Sequence, residues 1–86
     1  MKLTLSKPIQ AHGAETSELE LAEPTGKDVR ELGYPFKLYS DQSIHLLADK
    51  TAAYVVRLAK IPMSSVDQMS PADLNNAGMM ISSFFQ

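Results

Sequence analysis

Two histidines are the side chains of this sequence that titrate near neutral pH, so they are the first candidates for acid–base catalysis or metal binding. His12 falls in a predicted turn and His45 in a predicted strand. Neither has a second histidine at the HxH or HxxxH spacing that metal sites use. We therefore interpret both as surface or packing residues.

Four glutamates follow the first histidine closely enough to suggest a cation site: Glu15, Glu18, Glu20 and Glu23. They lie along a predicted strand, with Glu18 and Glu20 on its outward side, and they lack the loop of backbone carbonyls that surrounds calcium. We interpret them as a solvated face that discourages the strand edge from pairing with other chains.

The other common kinds of chemistry find no support in the composition. The chain has no cysteine, which excludes thiol catalysis and thiolate metal sites, and its four glycines are isolated, so no phosphate-binding loop is indicated. No nucleophile has a base beside it in a recognisable pattern. We expect a protein that is not an enzyme and that uses no cofactor or metal.

Length and charge limit the remaining classes. Eighty-six residues are one domain's worth of chain, and so small a domain has a thin stability margin. The net charge is −2 and the eight basic residues are scattered, which argues against a nucleic-acid partner. The N-terminal stretch alternates polar and apolar residues and resembles neither a signal peptide nor a membrane span. We expect a cytoplasmic protein without a membrane partner.

Hydrophobic periodicity predicts an α+β fold in a single domain spanning residues 1–86. Residues 2–9 alternate with Leu3 and Leu5 on one face, and alternation resumes after a turn at 10–14, so residues 1–23 predict a β-hairpin. Pro8 cannot donate to a ladder, which places its strand at an edge or ends it there. The wet face of this hairpin is acidic.

A short helix is predicted next, over residues 25–33. Thr25 can cap its N-terminus, the carboxylate of Asp28 can reach back to the free amides, and Gly33 can end it. For residues 34–47 the pattern leaves two alternatives open, a second small hairpin across residues 40–43 or an extended loop.

A helical half is predicted from residue 49 to residue 86. Asp49 is the expected cap of an apolar helix that reaches about residue 60, and residues 64–67 suggest a single turn. Ser70 followed by Pro71 and, at the third helical position, Asp73 is the strongest helix start in the chain. The last helix is therefore expected to begin at Pro71.

The last helix contains more apolar side chains than one core-facing stripe requires. A helical wheel assigns the following residues to that stripe: Leu74, Ala77, Gly78, Ile81, Phe84 and Phe85. Met79 and Met80 fall on the far side, where a lone domain would place charge. Scattered exposed apolar groups are ordinary in small proteins, but methionine also suits an adaptable docking surface. We predict a partner-binding surface made by Met79, Met80, Met63, Val56 and Phe85.

The order of these segments resembles a known family. Its most specific pieces are EPTGKDVRELGYPF at residues 23–36 and RLAKIPMSSVDQMSPADLN at residues 57–75. Together with the N-terminal strand ending in KPI and the MMISSFF terminus, they resemble the phage tail assembly chaperones of Mu-like contractile-tailed phages and prophages. The resemblance covers nearly the whole chain.

The resemblance implies a function and partners, although it brings no catalytic or ligand residues. It implies that the protein binds helical segments of the tape measure protein and keeps that protein soluble until the tail tube polymerises around it. It leaves open the tail tube protein as a further partner, a homo-oligomer and a longer form made by ribosomal frameshifting. The implied location is the host cytoplasm and not the mature virion. The alternative hypothesis is a small structural component of the tail or baseplate.

Overall fold

The computed structural model describes residues 1–85 of the chain. It confirms the α+β class, with an N-terminal hairpin, a short helix, a second hairpin and a helical C-terminal half. The elements are β1 (Lys2–Ala11), β2 (Ala14–Glu20), α1 (Gly26–Leu32), β3 (Phe36–Leu38), β4 (Ile44–Leu46), α2 (Ala48–Ala59), α3 (Met63–Val66), α4 (Pro71–Ser82) and a 3₁₀ turn (Ser83–Phe85).

The first hairpin pairs β1 with β2 in antiparallel fashion. His12 and Gly13 both have positive φ, at 53° and 77°, as expected for a two-residue turn that follows the twist of the strands. The pairing passes from Thr4 opposite Glu18 to Ile9 opposite Thr16, so an irregularity around residues 5–8 accommodates the proline. β1 then continues to Ala11, beyond the predicted end of the strand.

The second hairpin settles the alternative that the sequence left open for residues 34–47. β3 and β4 pair as a two-stranded antiparallel sheet in which Phe36 stands opposite Leu46 and Leu38 opposite Ile44. Gln42, in the connecting turn, has a positive φ of 70°. The loop alternative is therefore excluded.

Both predicted caps of the first and last helices are present. The Thr25 side chain accepts from the amide of Asp28 while the Asp28 carboxylate accepts from the amide of Thr25, which completes a capping box. The Ser70 hydroxyl accepts from the amide of Asp73 at 3.2 Å, with Pro71 in the first turn. These signals are local, since each joins residues three apart.

The cap predicted for the second helix is wrong. Leu47 is the N-cap residue of α2 and has no side chain that could accept a hydrogen bond, whereas Asp49 lies inside the first turn. A carboxylate there still interacts favourably with the positive end of the helix dipole. Leu47 is fixed instead by the second hairpin, because its amide donates to the Pro35 carbonyl at 2.9 Å.

The core lies between the inner face of the first hairpin and helices α2 and α4. Its most completely buried large side chains include Ile9, Leu21, Tyr54, Val55 and Ile81. Within residues 1–85, no helix is both long and apolar enough to span a bilayer.

Polar side chains from the helical half close the outer edge of β1. Asp73, which is 1% exposed, accepts hydrogen bonds from the amide of Ser6 at 3.0 Å on each oxygen and from the amide of Lys7 at 3.3 Å. Further along β1, the Gln68 side chain accepts from the amide of Gln10 at 2.8 Å, and the Ser65 hydroxyl donates to the carbonyl of Gln10 at 2.6 Å. These contacts position the helical half against the hairpin.

Candidate functional site

A groove of about 600 Å³ runs between the second hairpin and the last helix. We call it the hairpin–helix groove. Strand β4 forms one wall and helix α4, with the first residue of the 3₁₀ turn, forms the other. The lining residues are Ile44, His45, Leu46, Asn75, Met79, Ser82 and Ser83.

The helical wall is a stripe of uncharged residues. Asn75, Met79 and Ser82 follow the i, i+4, i+7 spacing that places side chains on one face of a helix. Met79 is 61% exposed, and the Asn75 amide lies 3.8 Å from its sulfur. The single carboxylate of α4, on Asp73, is directed to β1, so it adds no charge to this wall.

The strand wall is the apolar face of the second hairpin. Side chains of opposed residues share a face, so Phe36 and Leu46 lie with Leu38 and Ile44 on one side of this sheet. Phe36 and Leu46 are half-buried, whereas Leu38 is 64% and Ile44 56% exposed. The fold therefore covers the base of this apolar face and leaves its tip open.

A second cleft of about 270 Å³ continues the groove toward the start of α4. It shares Leu46 and Asn75 with the hairpin–helix groove and adds Ala48, Thr51, Pro71 and Leu74. The two clefts together extend along α4, which at about 1.5 Å per residue is roughly 18 Å long.

Gly78 allows β4 and α2 to approach helix α4 closely. A Cβ atom at this position would lie 2.9 Å from Leu46 Cδ1 and 3.2 Å from Thr51 Oγ1. The hydroxyl oxygens of Thr51 and Ser82 are buried here and have no hydrogen-bond partner within residues 1–85. Buried hydroxyl groups without a partner are costly, so these two are notable.

Among residues 1–85, the lining of the groove and of the second cleft contains no aspartate, glutamate, lysine or arginine. Nearby charge is held in the hairpin turn, where Asp41 accepts from the Ser43 hydroxyl at 2.6 Å and from its amide at 3.0 Å. These hydrogen bonds, the hydroxyl's first, keep the pKa of Asp41 below its usual value. His45 Nε2 lies 3.1 Å from the same hydroxyl, and its ring packs against Tyr39.

Of the five residues predicted to bind a partner, Met79 lines the groove. The wheel placed Met80 beside it on the outer side, but Met80 is half-buried and packs against the core. The wheel treats a helix as having one core face, whereas α4 contacts other elements on more than one side, including α2, β1 and β4. The outward orientation predicted for Met80 is therefore wrong.

The other three predicted residues lie outside the groove. Val56 is half-buried against the core, and Phe85 is half-buried in an aromatic cluster whose other members are Tyr34, Phe36 and Tyr54. Met63 is 46% exposed, but it lies on α3. The structure thus does not bring these three residues together with Met79.

The sequence analysis did not identify Ile44, Leu46, Asn75 or Ser82 as site residues. Ile44 and Leu46 belonged to the hairpin alternative for residues 34–47, but no local signal indicated that the tip of this hairpin would remain uncovered. Asn75 and Ser82 carry a weak signal, since they are neutral at positions where an exposed helix usually has charge.

Of the residues considered first for chemistry, His45 lines the groove, whereas His12, Glu18 and Glu20 lie elsewhere. His12 Nε2 is 2.8 Å from the Lys60 carbonyl oxygen, and Glu18 and Glu20 pair with the Lys2 side chain and the N-terminal amine at 3.4 and 3.2 Å. These contacts are at the surface of the first hairpin. Surface ion pairs of this kind contribute little to stability.

Comparison with known proteins gives one kind of match. No curated protein and no solved structure matches the chain. The family model described as "Phage tail assembly chaperone proteins, E, or 41 or 14" matches residues 2–86. That match leaves out Met1 alone, and the chain therefore belongs to the phage tail assembly chaperone family.

Proposed function

We propose that the protein binds the tape measure protein through the hairpin–helix groove and keeps it soluble before the tail tube polymerises. Membership of the family supports a role in tail assembly. In this proposal the protein acts by binding and carries out no catalysis. It works in the cytoplasm of the host and is left out of the mature virion.

The observation that carries the proposal is the pair of exposed apolar side chains on the two walls of the groove. Ile44 and Met79 are 56% and 61% exposed and line the same uncharged groove. An apolar polypeptide that entered would remove both from water without leaving an ion unpaired.

The expected strength of this contact suits a protein that must release its client. Covering the exposed part of each side chain contributes about 1 kcal/mol, from which the cost of association is still to be subtracted. Firm retention of a long client therefore requires several such contacts, supplied by several copies along its length. Methionine tolerates varied client surfaces because its side chain is flexible.

Co-expression with the tape measure protein of the same phage tests the proposal. We expect the wild-type protein to keep the tape measure protein in the soluble fraction and Met79→Ser to lose most of this effect. Met63→Ser is the matched control, since Met63 is exposed but lies outside the groove. Both variants should melt within a few degrees of the wild type, because each changes an exposed residue.

Two results would contradict the proposal. An insoluble tape measure protein in the presence of wild-type protein would exclude the chaperone function. Detection of the protein by mass spectrometry in purified mature particles would instead favour a structural component of the tail or baseplate.

A further inference from the structure

The edge of strand β4, and not just one of its faces, borders the hairpin–helix groove. Successive side chains of a strand point to opposite faces of the sheet. Ile44 and Leu46 share one face and His45 lies on the other, yet all three line the groove. Since the groove is lined by three successive residues of β4 and, within residues 1–85, by none of β3, we place it along the edge of β4 that faces away from β3.

The register of the second hairpin shows which backbone groups lie on that edge. The amide of Tyr39 donates to the Ser43 carbonyl at 3.0 Å, and the amide of Leu47 donates to the Pro35 carbonyl at 2.9 Å. Hydrogen-bonded and non-hydrogen-bonded pairs alternate along an antiparallel ladder.

Between those two bonded pairs, His45 forms the next hydrogen-bonded pair with Lys37, whereas Ile44 and Leu46 belong to non-hydrogen-bonded pairs. Their N–H and C=O groups therefore point away from β3, on the side of the groove. Within residues 1–85 these groups make no hydrogen bond.

On the first hairpin, the fold itself supplies hydrogen-bond partners for backbone groups that point away from the neighbouring strand. There the bond from the amide of Leu21 to the Met1 carbonyl and the two-residue turn fix the alternation, and Gln10 is an outward position of β1. Its amide and carbonyl are bonded to Gln68 and Ser65. The alternation of bonded and non-bonded pairs therefore identifies outward N–H and C=O groups on both strands. Those of Gln10 on β1 have a protein partner, and those of Ile44 and Leu46 on β4 have none within residues 1–85.

We propose that the outer edge of β4 accepts an extended segment of the client as an added β-strand. This inference rests on the proposed function and specifies the conformation in which the client is held: an extended segment at this edge, where the family resemblance implies helical segments. Edge addition supplies affinity through main-chain hydrogen bonds, and pockets for alternate side chains supply selectivity. The three residues of β4 span about 10 Å, so the segment is about three to five residues long.

The lining of the groove defines the chemistry of that segment. In the part of the chain that the structure describes, no aspartate, glutamate, lysine or arginine lines it, so a charged residue in the segment would lose its hydration without gaining a counter-charge. Side chains directed at α4 meet Met79 and must be apolar. The Ser82 hydroxyl, buried and unbonded within residues 1–85, offers one further hydrogen bond.

Ile44→Pro tests the inference, with Ile44→Ala as its matched control. Proline removes the outward amide at residue 44 and spares the ladder to β3, because residue 44 belongs to a non-hydrogen-bonded pair. Alanine removes a similar amount of exposed side chain and keeps the amide. We expect Ile44→Pro to bind the tape measure protein at least about tenfold more weakly than Ile44→Ala does, the loss of roughly one hydrogen bond.

A second measurement uses the unmodified protein and so does not depend on how a variant folds. Amide hydrogen exchange followed by NMR should show the amides of Ile44 and Leu46 slowing at least about tenfold when the tape measure protein binds, since both become strand donors. The amide of His45 faces β3 in either state and serves as the internal reference.

The outcomes separate this inference from the proposed function. If the wild-type protein does not bind the tape measure protein, the proposed function fails. If it binds, and both Ile44 variants bind equally while the amides of Ile44 and Leu46 exchange at their free rates, the client docks without adding a strand. The inference is then wrong although the proposed function stands.

Discussion

The two hairpins of this protein treat their edges in opposite ways. The outer edge of β1 is closed by Asp73, Gln68 and Ser65 from the helical half. On β2 the outward positions are occupied by Glu15, Glu18 and Glu20, which discourage pairing by charge. On β4 the outward positions are Ile44 and Leu46, and among the described residues no side chain is bonded to this edge and neither outward position is charged.

In our proposal the two hairpins have different roles, since the first stabilises the fold and the second binds the client. The first hairpin is long, and its buried residues form much of the core. The second hairpin has three residues in each strand and exposes the apolar tip of its face. An unprotected edge on the core hairpin would endanger the whole fold, whereas on the smaller hairpin it is available to a partner.

The largest effect on stability is expected from Asp73→Ala, which opens the edge of β1. This change removes the acceptor for the amides of Ser6 and Lys7 and leaves them unsatisfied next to the core. We expect a loss of roughly 2 to 4 kcal/mol in the free energy of unfolding, measured by urea denaturation. Asp67→Ala, at an exposed aspartate before the same helix, is the control and should change stability by less than about 0.5 kcal/mol.

Acid should break the same contact without a mutation. The amide of Ser6 above all, followed by the hydroxyls of Ser6 and Ser70 and the amide of Lys7, holds the pKa of Asp73 below the usual 3.8, although burial acts in the opposite direction. A lowered pKa means that the carboxylate stabilises the fold above pH 3.8, and that this stability is lost as the pH falls through the folded-state pKa. Between pH 5 and pH 2, Asp73→Asn should therefore lose less stability than the wild type in thermal melts.

A change with a smaller effect on stability tests whether charge protects the edge of β2, by making that edge uncharged like the edge of β4. Replacing Glu15, Glu18 and Glu20 together by glutamine removes the charge and keeps the length of each side chain. We expect stability to change by no more than about 1 kcal/mol, because these are exposed residues with weak ion pairs. Sedimentation at rising concentration should show more self-association than in the wild type, and equal self-association of the two proteins would refute a protective role for the glutamates.

The sequence was most informative where the deciding contacts are local. The capping residues Thr25 and Ser70 act across three positions, and the turn at His12 and Gly13 depends on adjacent backbone angles. Alternation of leucines identified the first hairpin because one face of a half-buried strand must be apolar. The first and last helices could also be placed from the sequence, because each cap depends on a residue only three positions away.

The predicted site was less accurate because burial depends on distant residues. The wheel gave Met79 and Met80 similar environments, and only the packing of β1, β4 and α2 around α4 separates them. Phe85 belongs to an aromatic cluster with Tyr34 and Phe36, about fifty residues earlier in the chain. The periodicity of one helix does not predict contacts with residues so distant in the chain.

The amino-acid sequence was sufficient to predict the α+β class, the first hairpin and the two capped helices, and it carried the resemblance to the tail assembly chaperones. Three features became visible only in the folded molecule: Asp73 closes the edge of β1, Gly78 lets Leu46 lie against α4, and within residues 1–85 the edge of β4 stays open beside Met79. The difference arises from how far apart in the chain the contacting residues are. Caps, turns and periodicity arise between neighbours in the chain, whereas a groove exists only between elements that folding has brought together.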